Sequence, residues 1–547
     1  MKKSKETKYI FVAGGVMSGI GKGITASSVA KILQARGFTV SAMKIDPYVN
    51  VDAGTMNPVE HGEVFVLSDG LETDQDLGNY ERFLDINLYS VDYMTTGSLY
   101  LSIIQKERNL GYKGKCVQVV PEVPNAVIEK IEKAAAHHNS DFVVIEIGGT
   151  VGEYENILFL EAYRMLKNRS PENALFILVS YLPLQKDGEL KTKPTQIAVR
   201  SAYAVGIQPD IIVARAEVPM DKVRKEKIAI NCGLEEADVI SAPNVENIYE
   251  VPLNFEKDGL GNRILEKFGM SKREAKLSSW KILIKKIDRP GKEIAIGIVG
   301  KYFEAGEFTL TDSYISVIEA VKHASYAAGV KVNIKWLNSG DFSTGSRAFK
   351  QLNECDGIIV PGGFGSRGVD GKINVIQHCR ENKIPYLGLC YGMQLAVVEF
   401  ARNVVGLKGA HTTEINKQSP YPVIAIMDEQ RKKIDNKDYG GTMRLGDYKA
   451  KLKSGTKIQK LYKKSSVVER HRHRYEVNPE YISEIESKGL IFSGSSPNGK
   501  LMEFIEFPEK MHPYFVGTQA HPEFLSRPLK PHPLFLGLIQ AATKRKK

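Results

Sequence analysis

The chain has 547 residues, which is too long for one hydrophobic core and predicts two to four domains. Apolar residues make up 42% and charged residues 25%, as in soluble globular proteins, and no apolar run reaches the roughly 18–20 residues that span a bilayer. The formal charge is +11, but the basic residues are spread along the chain, which favours small polyanionic ligands over nucleic acid. Five sparse cysteines without a C-x-x-C pair predict free thiols and a cytoplasmic location.

The first half reads as alternating strands and helices. It opens with the apolar strand "YIFVAGG", the helical pattern "ITASSVAKILQARG" and the strand "FTVSAMKID". The later runs "DFVVIEIGG", "ALFILVSYL" and "PDIIVAR" read as buried strands between helices. This alternation predicts a doubly wound, mostly parallel sheet.

The glycine-rich stretch "GGVMSGIGKGIT" lies between the first strand and the first helix. Backbone N–H groups, a helix N-terminus and Lys22 in this context favour a phosphate-binding loop. The match to the G-x-x-x-x-G-K-[ST] motif is imperfect, because Val16 replaces the first glycine and Gly23 replaces the hydroxyl residue. The alternative interpretation is a glycine turn at the switch point of the sheet.

Two acidic segments could supply the missing metal ligands. Glu146 ends a buried strand in "VVIEIGGTVG", and Asp76 is the best candidate in "LETDQDLGNYERF". Two carboxylates with phosphate oxygens form a common Mg²⁺ site, although the acidic cluster alone could be a solvated loop. The segment "KTKPTQ" suits a second polyanion, with an exposed loop as the alternative.

The pattern weakens around residues 255–292, and the charged stretch "LSSWKILIKKIDRPGKE" with its Pro-Gly predicts a linker over 276–292. From residue 293 a second α/β alternation begins with "EIAIGIVGKY". Its last strands, "GLIFSGSS", "LMEFIEF" and "YFVGTQAHPEF", are predicted to be antiparallel.

Cys390 lies between the strand "IPYLGLC" and the helical pattern "YGMQLAVVEFARN". This thiol would lie at a strand-to-helix turn, near a helix N-terminus and between Gly388 and Gly392. Those features are typical of a nucleophile elbow. The alternative is a small buried residue, because free cysteine is often part of the core.

The triplet "HPE" near the C-terminus favours the nucleophile interpretation. On a strand end, His521 and Glu523 would point to one side, so a carboxylate could orient a histidine base. Gly362 and Gly363 in "VPGGFGSRG" could supply oxyanion-binding N–H groups. The histidines of "ERHRHRYEV" alternate with arginines that would repel a cation, which disfavours a metal site there.

The pattern "PGGFG…GLCYGMQ…HPE" resembles the class I, triad-type glutamine amidotransferases. This resemblance implies that Cys390 attacks the glutamine amide, His521 is the base and Glu523 orients it. It also places Gly363, Gln394, Glu414 and Arg474 at the glutamine.

The blocks "MKIDPYVNVDAGTMNPVEHGEVFV", "EIGGTVG" and "KTKPTQ", followed by the amidotransferase pattern, resemble the CTP synthase family over residues 8–540. The expected fold is α/β, with two doubly wound, mostly parallel domains, the first P-loop-like and the second class I amidotransferase-like. The expected organisation is a synthetase domain over 1–275, a linker over 276–292 and an amidotransferase domain over 293–547.

The resemblance implies that ATP with Mg²⁺ phosphorylates UTP and that ammonia from glutamine then displaces the phosphate to give CTP. It assigns Asp76 and Glu146 to the metal and Lys44 to phosphate neutralisation. The residues implied at ATP are Ser18, Gly19, Ile20, Gly21, Lys22, Gly23 and Asp76. Those implied at UTP or CTP are Ser18, Glu153, Tyr154, Glu155, Lys191, Thr192, Lys193, Pro194, Thr195, Gln196 and Lys227.

The resemblance also implies activation by GTP, inhibition by CTP, a homotetramer, and an ammonia tunnel near Pro58, His61 and Val64. Filament formation stays open. Three positions depart from the family pattern: Glu153 and Asp370 replace an aspartate-like and a glutamate residue, and Tyr391 stands where relatives often carry leucine. No nucleic acid, membrane or organic prosthetic group is expected.

Two alternatives remain at this point. A cobyrinate diamide synthase type of ligase also joins a variant phosphate loop to an amidotransferase half, but it should lack "KTKPTQ" and "KIDPYVNVDAGTMNP". A DNA-partition type of ATPase uses a similar loop, but it does not explain the set of Cys390, His521 and Glu523.

Overall fold

The computed structural model describes residues 6–289, 291–301, 304–305, 308–309, 311–363, 365–426 and 443–546. The chain divides into two compact units, each made of two segments. The first unit comprises Met1–Ala53 and Asp76–Ile284, and the second comprises Gly54–Gln75 and Lys285–Lys547. This division differs from the continuous boundaries predicted from the sequence, because a short segment of the first half packs with the second unit.

In the described residues, the strands are β1 (Lys8–Gly14), β2 (Val40–Asp46), β3 (Phe65–Val66), β4 (Glu72–Thr73), β5 (Tyr93–Thr95), β6 (Phe142–Thr150), β7 (Ala174–Tyr181), β8 (Ile211–Ala216), β9 (Val239–Pro243), β10 (Lys292–Gly300), β11 (Glu304–Ala305), β12 (Phe308–Thr309), β13 (Val330–Asn338), β14 (Gly357–Val360), β15 (Tyr386–Leu389), β16 (Ile424–Ile426), β17 (Arg444–Leu452), β18 (Ser466–His473), β19 (Tyr475–Val477), β20 (Ile491–Ser495), β21 (Met502–Glu506) and β22 (Phe515–Thr518).

The helices in the same ranges are α1 (Lys22–Ala35), α2 (Pro58–His61), α3 (Asp76–Leu84), α4 (Thr96–Arg108), α5 (Val119–His138), α6 (Ile157–Arg169), α7 (Lys193–Ala204), α8 (Lys222–Cys232), α9 (Val251–Lys257), α10 (Leu260–Lys267), α11 (Ser278–Ile287), α12 (Ile315–Ala328), α13 (Phe349–Asn353), α14 (Val369–Glu381), α15 (Tyr391–Phe400), α16 (Lys457–Tyr462), α17 (Ile482–Ser487) and α18 (Pro533–Arg545). None of these helices combines the length and apolarity that a membrane-spanning segment requires.

The first unit is built on a parallel sheet of seven described strands in the order β5-β2-β6-β1-β7-β8-β9. The strands are almost wholly apolar and buried, as expected for a sheet with helices on both faces. The predicted doubly wound sheet is therefore confirmed. Because all strands run the same way, their carboxyl ends form one edge, where ligands bind in open α/β sheets.

The second unit is built on a mixed sheet of nine described strands in the order β13-β10-β14-β15-β22-β21-β20-β17-β18. The first five strands are parallel and the remaining pairings are antiparallel. The last strand, β22, thus differs from the prediction, because it pairs parallel to β15 on one side and antiparallel to β21 on the other. This arrangement brings its end beside the end of β15.

Alternate residues of the second sheet face two separate cores. Ile358 and Val360 belong to one buried cluster, and Ile359 between them belongs to the other. Successive strand side chains point to opposite faces, so a continuous apolar run fills both cores. The predicted burial of these strands is confirmed.

The segment predicted as a linker contains the helix α11. Its apolar face carries Trp280 and Leu283, which are both buried, while its lysines lie on the other side. Trp280 donates a hydrogen bond to the Tyr249 carbonyl and packs against Phe83 and Tyr249. These partners are distant in the sequence, which explains why the local charge pattern alone indicated a linker.

Candidate active sites

The glycine-rich loop connects β1, at the centre of the first sheet, to the N-terminus of α1. Gly19 and Gly21 have φ values of 73° and 83°, in the left-handed region that glycine tolerates best. Val16 also has a positive φ, of 95°, where a β-branched residue is strained. The loop therefore keeps the backbone conformation of a glycine position although its sequence departs from the motif there. Ser18 and Gly19 are exposed, and Ile20 is buried.

A buried charge cluster lies beside the N-terminus of α1. Lys44 donates hydrogen bonds to Asp76, at 2.5 Å, and to Glu146, at 2.8 Å. Lys44 and Glu146 are direct partners in the register between β2 and β6, so the sheet itself sets their separation. Tyr80 also donates to Glu146, and it lies one helical turn after Asp76 on α3. Tyr80 was missed in the sequence, although its spacing from Asp76 places both on one helix face.

Burial and the neighbouring charges shift the pKa values of this cluster. Burial and the neighbouring Asp76 raise the pKa of Glu146. Burial alone would raise the pKa of Asp76, but Lys44 outweighs it and lowers that pKa. Burial lowers the pKa of Lys22, although Glu146 acts in the opposite direction. Carboxylates and ammonium groups buried at the edge of a parallel sheet suit the binding of a cation and of phosphates.

Gly23 shows how the two carboxylates fit a metal ion. A Cβ on Gly23 would lie 2.2 Å from Asp76 Oδ1 and 3.4 Å from Glu146 Oε2. The two oxygens therefore converge on the place where a motif hydroxyl would stand. Such oxygen donors match what Mg²⁺ prefers, with phosphate oxygens completing its shell.

The other predicted nucleotide residues lie in three places. Glu153, Tyr154 and Glu155 are exposed just after β6, and Glu153 accepts a hydrogen bond from the Thr150 N–H at 2.7 Å. In "KTKPTQ", Lys191 pairs with Glu189 and Lys193 is exposed, whereas Thr192, Thr195 and Gln196 are buried. Thr195 accepts from Ser180 and Gln196 donates to Thr192, so these side chains hold the start of α7. Pro194 is half-buried there, and Lys227 is exposed on α8.

In the second unit, Cys390 occupies the turn between β15 and α15. Its φ of 48° and ψ of −98° are unusual for a residue with a side chain, and its N–H donates to the Thr518 carbonyl at 2.7 Å. A Cβ on Gly392 would lie 2.1 Å from the Val360 carbonyl oxygen, and one on Gly388 would lie 2.8 Å from the Gly392 backbone. The two glycines are therefore required by close backbone approaches, and the elbow geometry agrees with a nucleophile.

His521 and Glu523 contact each other, but at a short 3-10 turn (Pro522–Leu525) that follows β22, and not on a strand end as predicted. His521 Nδ1 lies 2.7 Å from Glu523 Oε1, and the His521 backbone N–H donates to the Arg470 carbonyl at 2.7 Å. Burial alone would lower the pKa of His521, but Glu523 and then Cys390 raise it to about 10. A histidine that interacts with both a carboxylate and a thiol has the arrangement of a catalytic triad.

A cavity of about 80 Å³ adjoins this triad within the second unit. It is lined by Cys390, His521, Glu523, Gly362 and Gly363 on one side. Pro58 and Val64, from the predicted tunnel, also line it, whereas His61 is exposed and is not among the described lining residues. A Cβ on Gly362 would lie 2.7 Å from His521 Cε1, so only glycine fits against the base.

The predicted glutamine-binding residues lie in the same unit, but two of them have structural partners. Glu414 accepts a hydrogen bond from the Gly365 N–H at 2.8 Å, and burial raises its pKa. Gln394 is buried and donates to the Tyr475 carbonyl at 2.8 Å and to Gln519. Arg474 is half-buried and interacts electrostatically with Glu414.

Gln519 was missed in the sequence analysis. Its Nε2 lies 3.6 Å from Cys390 Sγ. The signal was available, because Gln519 precedes His521 by two residues in the quoted "QAHPEF".

The strand β18 passes beside the triad and alternates histidines with arginines. His473 pairs with Glu476 at 2.7 Å, and His471 packs on His473 with ring centroids 5.2 Å apart. Alternation places the arginines on the other face, where Arg470 binds the Val66 carbonyl at 2.9 Å and Arg472 binds Glu72 at 2.7 Å. The segment 54–75 is thus anchored to the strand that contacts the triad.

Comparison with known proteins agrees with both halves of this description. A family model described as "CTP synthase N-terminus" matches residues 8–270, and one described as "Glutamine amidotransferase class-I" matches residues 309–541. A protein named CTP synthase from Methanococcus aeolicus is 51% identical over 548 residues, covering 98% of this chain and 99% of the relative. A protein of the same name from Thermococcus gammatolerans is 51% identical over 543 residues, covering 99% of each chain. Another from Bacillus subtilis is 48% identical over 540 residues, covering 98% of this chain and 99% of the relative.

These matches extend over nearly the whole chain and include the N-terminal half, which distinguishes the CTP synthases from the other ligases and ATPases considered above. The chain therefore belongs to the CTP synthase family, whose members are glutamine-dependent ligases that consume ATP.

Proposed function

We propose that this chain converts UTP to CTP with ATP, using ammonia that its second unit releases from glutamine. One observation carries the proposal: a single chain combines a glycine loop with Lys22, Lys44 and two carboxylates, and a separate Cys–His–Glu site. The first group of residues suits phosphoryl transfer, and the second suits amide hydrolysis.

At the second site, Cys390 Sγ attacks the side-chain amide carbon of glutamine, and the carbonyl electrons move to oxygen. His521, held by Glu523, passes the proton to the departing nitrogen, and ammonia leaves. Water then cleaves the thioester to give glutamate and restores the thiol. Gly362 and Gly363 line the same cavity as Cys390, and on this proposal their N–H groups stabilise the oxyanion.

At the first site, the loop and Lys22 hold ATP, and the 4-oxygen of UTP receives its γ-phosphoryl group. Ammonia then forms the C–N bond, and phosphate leaves. Lys44 lies between Asp76 and Glu146, where it can neutralise phosphate charge. Asp76 and Glu146 would hold Mg²⁺, which supplies further neutralisation of the transferring phosphate.

The finer assignments belong to the same proposal. The exposed residues Glu153, Tyr154, Lys193 and Lys227, with Lys191, are candidates for UTP and CTP binding. We extend the proposal to activation by GTP, inhibition by CTP, a homotetramer and a cytoplasmic location, which the resemblance to the family supports. Asp370 departs from the family pattern in the segment proposed to respond to GTP. Its carboxylate is exposed.

The decisive experiment follows UTP-to-CTP conversion by absorbance with ATP and Mg²⁺, comparing glutamine with ammonium. Cys390→Ala should abolish the glutamine reaction and retain the ammonium reaction, whereas Lys22→Ala should abolish both. Cys116→Ala, at an exposed cysteine, and Lys133→Ala, at an exposed lysine, are the controls. Failure of the wild type to form CTP with either nitrogen source would contradict the proposal.

A further inference from the structure

Lys372 is a buried lysine that the proposed mechanism does not use. It lies in the first turns of α14, and only 1% of its surface is exposed. Among the described residues, its Nζ has no hydrogen-bond partner. An isolated ammonium group in this environment is costly, because it has lost its water and gained no acceptor.

The surroundings of Lys372 Nζ belong to the glutaminase site. The atom lies 3.9 Å from the position that a Cβ on Gly363 would occupy, and 5.6 Å from the centroid of the Tyr391 ring. The titratable groups that act on it are Lys301, directly after β10, and Cys390, in the turn before α15. Lys372 therefore lies close to Gly363 and interacts with Cys390, and its ammonium group is near the ring of Tyr391.

The balance of charges at Lys372 changes during the reaction. Burial and then Lys301 lower its pKa to about 7, while Cys390 acts in the opposite direction. The aromatic face attracts the ammonium group, and this cation–π attraction is stronger when the pair is desolvated. A negative charge formed next to Gly363 would add a much stronger partner in this low-dielectric site.

We propose that Lys372, held against the ring of Tyr391, supplies a positive charge that stabilises the anion formed when Cys390 attacks glutamine. The inference rests on the proposed glutaminase activity. In this step the S–C bond forms and the carbonyl π electrons move to oxygen; Lys372 acts in its protonated form and transfers no proton. Its role is electrostatic, in addition to the N–H groups of Gly362 and Gly363.

This proposal also gives a role to Tyr391, the residue directly after the nucleophile. Tyr391 is buried in the core beneath the elbow, with 2% of its surface exposed. Leucine could fill the same space but has no π face to attract an ammonium group. Lys372 and Tyr391 are thus expected to act as a pair.

The test compares Lys372→Met with Lys457→Met in the full-length protein. Lys457 is a matched control, because it is a half-buried lysine that lies 5.7 Å from the ring centroid of Tyr514 and has no described interaction with Cys390. Lys372→Met should lower the kcat of glutamine hydrolysis by about 10- to 100-fold, with the KM changed less than about threefold. Ammonium-dependent CTP formation should be unchanged in both variants, and thermal unfolding of the full-length protein reports whether the second unit is folded in each.

An aldehyde analogue of glutamine gives a readout that a structural role would not move. It forms a tetrahedral adduct with Cys390 that resembles the intermediate, so Lys372→Met should weaken its inhibition by about tenfold or more. Unchanged kcat and unchanged inhibition in a folded Lys372→Met variant would overturn the inference. Absence of glutamine hydrolysis in the wild type would instead overturn the proposed function.

A second pair of variants decides the question if Lys372→Met does not fold. Tyr391→Phe keeps the aromatic face, and Tyr391→Leu removes it. We expect the kcat of glutamine hydrolysis to be about fivefold lower or more in the leucine variant than in the phenylalanine variant. Equal kcat values in these two variants would contradict the inference.

Discussion

Gly23 illustrates, at the scale of a single residue, how neighbours explain a departure from a motif. Phosphate-binding loops usually have Ser or Thr after the lysine, where the hydroxyl binds Mg²⁺. Here Asp76 Oδ1 would lie 2.2 Å from any Cβ at this position. The carboxylates of Asp76 and Glu146 thus take the space, and on the present proposal the role, of the missing hydroxyl.

Gly23→Ala should therefore disable the first site. The added methyl group would displace Asp76, so ammonium-dependent CTP formation should fall by about tenfold or more. Gly340→Ala is the control, since the nearest atom to its Cβ would be Asn338 Oδ1 at 3.5 Å. Initial rates with saturating ammonium measure the effect, and equal rates in the two variants would refute this explanation of Gly23.

His512 provides a prediction about stability and pH. Its Nε2 lies 3.1 Å from the Cys379 carbonyl oxygen, and its Nδ1 accepts the Tyr514 N–H at 3.2 Å, an arrangement that requires the neutral ring. Burial accordingly lowers the pKa of His512 to about 4. Between pH 6.5 and 4 the unfolded chain binds a proton that the folded chain does not, so stability falls as the pH falls.

His512→Gln removes this titration. The wild type should lose up to about 3 kcal/mol of unfolding free energy from this one group between pH 7 and pH 4, and the variant should lack that loss. Urea unfolding of both proteins across this range measures the difference in slope. Parallel pH profiles for the two proteins would show that His512 does not titrate as inferred.

At the scale of elements, β18 connects the triad to the segment 54–75. The carbonyl of Arg470 accepts the His521 N–H, and that of Arg472 lies 3.8 Å from Cys390 Sγ. The side chains of the same two arginines bind Val66 and Glu72. The hairpin β3–β4 therefore helps to set the positions of backbone atoms that contact the His521 backbone and the Cys390 side chain.

Glu72→Gln weakens this anchor by removing one charge of a buried ion pair. Glutamine-dependent kcat/KM should fall by about three- to tenfold, while the ammonium reaction should stay unchanged. Glu354→Gln, which alters the solvent-exposed pair with Lys335, is the control. A loss of ammonium-dependent activity in Glu72→Gln would show that the hairpin serves the first site instead.

Local sequence patterns predict most of these elements correctly. The strands of both sheets, the glycine loop and the elbow can each be recognised from a hydrophobic pattern or a turn signal within a few residues. The helix α11 and the parallel pairing of β22 were not predicted, because Trp280 and Phe515 depend on partners far along the chain. A local window contains no information about such partners.

At the scale of the whole molecule, the proposed function requires ammonia to leave the glutaminase site without reaching solvent. Val64 lines the cavity of about 80 Å³ beside Cys390, and this volume exceeds the roughly 30 Å³ that a water molecule occupies. Ammonia is similar in size to water. On the proposed function, we expect Val64 to limit the movement of ammonia.

Val64→Phe should partly fill this cavity. Glutamate release and ammonium-dependent CTP formation should persist, while the CTP formed per glutamate released should fall by about fivefold or more. Val468→Phe, at an exposed valine on β18, is the control. Measuring both products in one reaction gives the ratio, and an unchanged ratio would exclude a role for Val64 in ammonia transfer.

The sequence by itself determined the two α/β halves, the phosphate loop and the Cys390, His521 and Glu523 set, because periodicity and turn chemistry act over short distances. Tertiary structure alone decided how Lys44 meets Glu146, since the register between β2 and β6 sets that contact. It also decided the burial of Lys372 and the packing of residues 54–75 with the second unit. These features depend on contacts between residues far apart in the chain, which only the packed structure brings together.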